Sequence, residues 1–207
     1  MEGPRQDEIE ALVRSACDRG EHDRAATLII EHYGPALLGF LCGWMGNREA
    51  AHEAFAMFCE DLWSGLPRFG WRCTAQGWAY TLARNSGRRH AKDELRKRAR
   101  QTSLTGSKAS ALAAKVASTV EPYLKTDFKN RFEELRDRLP PDDRLLLLLR
   151  SGRQLPFRDI VFVMAESTSG LEPTEDELTR DAARLRKRFQ TLKERLRELA
   201  RSEGLLE

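Results

Sequence analysis

The sequence predicts an all-α protein made of two small helical domains joined by a flexible linker. Nearly every periodic segment repeats its apolar residues at helical spacing, and no segment shows a convincing strand alternation. Composition also changes at residues 101–127, where Ser, Thr, Ala and Lys replace bulky apolar residues. We therefore predict domains at 1–100 and 128–207, with 101–127 as the linker.

The first domain is predicted to hold five helices and one loop. The helical segments are 8–19, 22–33, 35–46, about 48–64, and about 75 to the late nineties. Gly34-Pro35 is predicted to break the chain between the second and third helices, and Gly46-Asn47 to end the third. The segment 67–74 is predicted to be a loop because it holds Pro67 and Gly70.

The second domain is predicted to hold three further helices. Leu145 to Leu149 is a continuous apolar run typical of a buried helix, a short helix follows at about 156–165, and the last covers about 177–202. A polar, acidic stretch at 166–177 precedes the last helix. Three successive helices, of which the last is basic, predict a helix-turn-helix domain.

Composition limits the class of protein. Lys and Arg number 35 against 32 Asp and Glu, so a nucleic-acid signal has to come from where the charges lie. No uninterrupted apolar run is long enough for a transmembrane helix, and the first residues are too polar for a secretory signal. The four cysteines lack metal-site spacing, which favours free thiols in a reducing cytoplasm. We expect no metal, no cofactor, no membrane contact and, since no catalytic constellation stands out, no enzymatic activity.

Aromatic and basic residues concentrate at 71–100, a combination that suits single-stranded nucleic acid because rings stack on bases and cations follow the backbone. The candidate residues here are Trp71, Arg72, Trp78, Tyr80, Arg84, Asn85, Arg88 and Arg89. The alternative is a pair of core tryptophans followed by a solvated basic helix end, which would also complement the helix dipole.

The last helix carries an apolar stripe from Leu185 to Leu199 and a basic opposite side. Such a helix suits the DNA major groove, where Arg pairs with guanine, Gln with adenine, and other cations with phosphates. The candidate residues are Arg180, Arg184, Arg186, Lys187, Arg188 and Gln190. An exposed Arg-rich helix or a coiled-coil stripe is the alternative.

The helix at 48–64 has an apolar face that includes Phe55 and Phe58, and an acidic opposite face. An acidic surface with one methionine is a candidate protein-docking face, although a solvated polar face is the simpler interpretation. The candidate docking residues are Glu49, Glu53, Met57 and Glu60.

Over residues 24–100 and 128–202, these segments together resemble the extracytoplasmic-function (ECF) group of the sigma-70 family. DRAATLIIEHYGPALLGFLCGWMGN is similar to that family's opening helices, EAAHEAFAMFCEDLWSGLPRF to its polymerase-binding helix, and WRCTAQGWAYTLARNSGRRHAKDELRKR to the segment that opens and reads the −10 element. FEELRDRLPPDDRLLLLLRSGRQLPFRDIVFVMA is similar to the start of region 4, and RLRKRFQTLKERLRELA to its −35 recognition helix.

The resemblance implies a sigma factor with bacterial core RNA polymerase and promoter DNA, both duplex and melted, as partners. Helix 48–64 would dock on the β′ clamp coiled coil, with Glu53 and Glu60 the best contact candidates. The loop at 69–76 would pocket a flipped non-template base, and the second domain would sit on the β flap and read the −35 major groove. An anti-sigma factor covering the same surfaces is compatible with this assignment.

Two other classes compete with this interpretation. A helix-turn-helix regulator would bind duplex DNA without polymerase, but duplex binding does not need the aromatic and basic segment at 71–100. A helical protein-interaction module without a DNA role does not account for two separate basic clusters. An enzyme is the most distant of the alternatives.

Overall fold

The computed structural model describes residues 6–100, 138–152, 154–165 and 173–204, with side chains of 97–100 left out. All secondary structure within these ranges is helical, as the sequence predicts. The chain divides into two compact units, Met1–Glu121 and Pro122–Glu207. The predicted linker at 101–127 lies outside the described residues.

Within residues 6–100, the described part of the first unit contains four α-helices and one short 3-10 turn. They are α1 (Gln6–Asp18), α2 (His22–Met45), α3 (Arg48–Gly65), the 3-10 turn Leu66–Arg68, and α4 (Ala75–Arg100). Helix α2 packs against the other three helices and supplies much of the core, including the fully buried Ile29, Ile30 and Leu41. The fold therefore places α3 and α4, which carry two of the predicted surfaces, around a common apolar helix.

Helix α2 runs without a break from His22 to Met45, so the predicted break at Gly34-Pro35 is wrong. Pro35 removes one hydrogen bond of the helix, but its ring is exposed, whereas Ile30 and Leu37 on either side of it are fully buried. Burial of the apolar face on both sides of the proline outweighs the local propensity to stop. The helix then ends where predicted, at Gly46 in a left-handed conformation with φ 66°.

Helix α2 is also the one described helix long and apolar enough to cross a membrane by length and composition. Most of that stretch is buried inside the first unit, where its side chains form the core. A core helix meets the same criterion, so this is weak evidence for a membrane span.

Close helix contacts in the first unit depend on glycine at two positions. A Cβ atom at Gly87 of α4 would lie 2.7 Å from the Trp44 ring of α2, and one at Gly65 would lie 3.0 Å from the Trp78 ring. Both distances are too short for a larger residue without movement of the tryptophan. These glycines let α4 approach α2 and the end of α3.

The described residues of the second unit form three helices, α5 (Pro141–Ser151), α6 (Phe157–Met164) and α7 (Glu175–Ser202). Its core joins Leu145, Leu149, Ile160, Val163 and Leu196, drawn from all three helices. Bulky residues predicted to belong to this domain at 128–135 lie outside the described residues.

Helix α7 begins two residues earlier than predicted, at Glu175, because Thr174 and Glu177 form a capping box. The Thr174 hydroxyl accepts from the Glu177 amide at 3.3 Å, and the Thr174 amide donates to the Glu177 carboxylate at 2.8 Å. Part of the predicted acidic insertion is thus the first turn of α7, where Glu175, Asp176 and Glu177 complement the helix dipole. Residues 166–172 of that insertion lie outside the described residues.

Candidate nucleic-acid and polymerase interfaces

Three half-exposed aromatic rings form a cluster at the start of α4. The Phe69 ring stacks on Trp78 with centroids 4.5 Å apart and an interplanar angle of 16°, and it tilts against Trp71 at 4.6 Å. We call residues 69–74, which connect the 3-10 turn to α4, the aromatic loop. Trp71 and Trp78 are predicted site residues, whereas Phe69, two residues before Trp71 in the predicted loop, is not among them.

Trp71 adopts a left-handed backbone conformation with φ 55°. A non-glycine residue there costs about 1–3 kcal/mol and persists only where its surroundings hold it, commonly at functional sites. Two such contacts are the Phe69 ring and the Arg14 guanidinium, whose central carbon lies 4.6 Å from the Trp71 ring centroid. The ring is therefore held in place while Trp71 remains partly exposed to solvent.

Two of the eight residues proposed for single-strand binding lie in the interior, which corrects that prediction. Tyr80 is fully buried and packs edge-on against Phe40 of α2 at 5.3 Å, and Arg84, one turn later, is 6% exposed. Both belong to the α4 face that also buries Ala79 and Ala83. They support the fold and do not present their side chains to a ligand.

The other six proposed residues are at the surface. Arg72, Arg88 and Arg89 are exposed, and Trp71, Trp78 and Asn85 are half-buried. Arg89 is tied to α3, since it forms an ion pair with Asp61 at 2.5 Å, and Asp61 also accepts from the Ser86 hydroxyl at 2.8 Å.

A continuous stripe runs along α4 from the aromatic cluster into its basic end. The stripe alternates spacings of three and four residues, and its first three members are half-buried while its last two are exposed: Trp78, Thr81, Asn85, Arg88 and Lys92. At 1.5 Å per residue the stripe is roughly 21 Å long. We call it the α4 stripe; Thr81 and Lys92 were not among the proposed residues, although the same spacing identifies them.

The acidic face of α3 lies at the surface as the pattern predicts. Glu49, Glu53 and Glu60 are exposed and Met57 is half-buried. Glu53 also contacts α4: its carboxylate lies 2.9 Å from Nε2 of His90, a ring that is 7% exposed. This acidic face and α4 are therefore joined by polar contacts as well as by packing.

In the second unit, α7 buries Phe189, Leu192 and Leu196 and exposes its basic side. All six proposed residues are exposed, namely Arg180, Arg184, Arg186, Lys187, Arg188 and Gln190. Several are already engaged within the unit. Arg184 pairs with Asp181 at 3.0 Å, Arg188 pairs with Asp143 of α5 at 2.7 Å, and Arg186 lies over the Phe157 ring at 5.3 Å.

A shallow groove of about 420 Å³ lies between α5 and α7. Its polar lining comprises Arg184, Lys187, Arg188, Thr191 and Arg195, with Asp143 as its one acid. Four cations against one carboxylate favour an anionic ligand such as a phosphate backbone. We call it the basic groove.

Residues 29–101 match the family model of sigma-70 region 2. The match covers α2 from Ile29, α3, the aromatic loop and α4, and it leaves out α1 and the second unit. No curated protein matches the chain. The match supports a sigma-70 region 2 in this segment, a region that in general takes part in transcription initiation and interacts with core RNA polymerase and promoter DNA.

Proposed function

We propose that this chain is a sigma factor of the ECF group that joins core RNA polymerase in the cytoplasm and directs promoter-specific initiation without catalysing a reaction itself. The observation that carries the proposal is the aromatic loop joined to the α4 stripe, both inside the segment that matches sigma-70 region 2. Half-exposed rings followed by cations are what a melted DNA strand requires.

In this proposal the first unit holds the melted −10 element. A base flipped out of the duplex stacks in the aromatic cluster at Trp71 and Phe69, at about 1–3 kcal/mol per stacked base. The following backbone runs along the α4 stripe toward Arg88 and Lys92. The cluster lies at one end of the stripe, so one bound strand would use both.

The acidic face of α3 is the proposed contact with the β′ clamp. The acidic face lies opposite the apolar side of α3, which packs against α2 and α4. A partner can therefore contact Glu49, Glu53 and Glu60 without opening the core. An anti-sigma factor that covered this face and the aromatic loop would block polymerase and DNA together.

In the second unit, α6 and α7 are the proposed helix-turn-helix, with α7 reading the −35 major groove while the unit rests on the β flap. Arg180, Lys187 and Gln190 are exposed on α7, and its cations line the basic groove. The residues 165–174 between α6 and α7 make this a longer connection than the usual short turn.

The test is co-elution of the purified chain with bacterial core RNA polymerase, followed by run-off transcription over genomic promoter fragments. We expect a stable holoenzyme and discrete transcripts that core enzyme alone does not make. Failure to bind core enzyme at any salt concentration would overturn the proposal. Duplex binding without core binding would instead favour a helix-turn-helix regulator, for which the basic groove would suffice.

A further inference from the structure

Helix α1 lies outside the segment that matches sigma-70 region 2, yet it contacts the functional part of that segment. Gln6, Glu10 and Arg14 are spaced by four residues, so they lie on one side of α1. Ile9, Val13 and Ala16 form its buried face. The polar side meets the aromatic loop and the first turn of α4.

Glu10 caps α4 from another helix. One carboxylate oxygen accepts from the Ala75 amide at 2.7 Å, and the other accepts from the Gln76 amide at 2.9 Å. These amides belong to the first turn of α4, which has no partners for them within the helix, and a carboxylate there also complements the helix dipole. Charge-assisted bonds of this kind are among the stronger hydrogen bonds in proteins.

Two further polar contacts lie beside the bonds from Glu10 to α4. The Tyr33 hydroxyl of α2 donates to the Glu10 carboxylate at 3.2 Å, and the side-chain amide of Gln6 donates to the side-chain carbonyl of Gln76 at 2.5 Å. One turn beyond Glu10, the Arg14 guanidinium lies over the Trp71 ring, the residue with the left-handed backbone.

We propose that α1 is a positioning element for promoter opening: Glu10 fixes the start of α4 and Arg14 fixes Trp71, so that the aromatic loop is already shaped for the unpaired base. This inference rests on the proposed function of the loop. Glu10 and Arg14 touch no DNA in it; they act through Ala75, Gln76 and Trp71. Because the loop is already ordered before the base binds, binding does not incur the entropic cost of ordering it.

The test compares four variants of the full chain, each assembled with core polymerase. Glu10→Gln leaves one acceptor oxygen and places an NH₂ group where the second amide needs an acceptor. Arg14→Ala removes the cation, whereas Arg14→Lys keeps a cation over the ring. Tyr33→Phe is the matched control, because it removes a bond to Glu10 and leaves both bonds to the α4 amides.

The readouts are core binding, transcription from a duplex promoter found by the run-off assay, and transcription from the same promoter already melted at −10. We expect Glu10→Gln and Arg14→Ala to lose about tenfold on the duplex template. Core binding and the melted template should change much less, and Tyr33→Phe and Arg14→Lys should stay near wild type. A merely destabilised domain would lower all three readouts together, and that result, or wild-type opening by both variants, would overturn the inference.

Hydrogen exchange on the chain without polymerase separates this inference from the proposed function. The amides of Ala75 and Gln76 should exchange faster in Glu10→Gln than in wild type or Tyr33→Phe. If wild type fails to bind core polymerase, the proposed function fails whatever the exchange shows. If wild type opens promoters and exchange at Ala75 and Gln76 is unchanged in Glu10→Gln, the positioning role of α1 fails alone.

Discussion

Tyr80 and Arg84 show that the burial of a residue determines whether its substitution tests the stability of the fold or the binding of a ligand. Both stand in a segment rich in aromatic and basic residues, and both lie inside the first unit. Besides Tyr80 and Arg84, the buried face of α4 consists of small residues such as Ala79 and polar ones such as Gln76 and His90, so the apolar stripe is weak in the sequence. Charge and ring content alone therefore could not separate these two residues from their exposed neighbours.

Substitution of Tyr80 by Ala should destabilise the first unit by about 3–5 kcal/mol, because a large, fully buried aromatic side chain is removed. The measurement is urea unfolding followed by tryptophan fluorescence, since Trp44, Trp63, Trp71 and Trp78 all belong to the first unit. Arg88→Ala on the exposed side of the same helix is the control, with an expected change within about 0.5 kcal/mol. Equal stabilities of the two variants would contradict the burial of Tyr80.

Substitution of Trp71 by Ala should impair transcription from a duplex promoter more than from a template melted at −10. Loss of one stacked base is worth about 1–3 kcal/mol, or roughly fivefold or more in the population of open complex. Trp63→Phe is the control, because Trp63 lies on α3 with its ring nitrogen donating to Asp23. The same loss on both templates would argue against a role for Trp71 in melting.

At the scale of the element, helix existence and type follow from sequence periodicity, while two boundaries do not. Tertiary burial carries α2 through Gly34-Pro35, and that burial depends on partners far along the chain. The start of α7 depends on the Thr174–Glu177 capping box, a pattern that is present in the sequence but lies within an acidic, polar stretch that resembles a loop. The spacing of three and four residues that defines the α4 stripe is visible in the sequence, so the sequence alone is sufficient to predict Thr81 and Lys92 as members of it.

The capping box of α7 should fail in acid. The backbone amide of Thr174, followed by its hydroxyl, holds the pKa of Glu177 below its ordinary value of 4.5. A depressed carboxylate pKa gives stability that is present above that ordinary value and is lost as pH falls through the lower folded value. Wild type should therefore exceed Glu177→Gln in helicity near neutral pH, and the difference measured by circular dichroism should shrink in acid, where the Glu177 carboxylate is protonated. A difference that stayed constant across the titration would exclude this role of Glu177.

Charge reversal of Lys187 should weaken promoter binding through α7. Lys187 lines the basic groove, and no ion pair within the described part of the chain involves it. Lys187→Glu should reduce the affinity of the holoenzyme for promoter DNA and lower the salt slope by about one. Arg197→Glu is the matched control, because Arg197 is exposed on the same helix but does not line the groove. Equal effects of the two reversals would indicate a general charge effect and would argue against the basic groove as the surface that binds promoter DNA.

At the scale of the whole molecule, the composition of 101–127 predicts preferential cleavage by proteases. Limited proteolysis should give two stable fragments, near 1–100 and 128–207, each with the described helices of one compact unit. The measurement is mass spectrometry of the products over time. A single full-length resistant core would show that the two units do not behave as separate domains.

The contact between Glu53 and His90 gives the first unit a form of thermodynamic linkage. Glu53 lies on the face proposed for polymerase, and His90 lies on the helix proposed for DNA. A partner that engages the Glu53 carboxylate has to share it with His90 or displace that nearly buried ring. If polymerase binds this face of α3 and DNA binds α4 as proposed, the coupling through this pair is reciprocal: polymerase binding changes the affinity of α4 for DNA by the same factor by which DNA binding changes the affinity for polymerase.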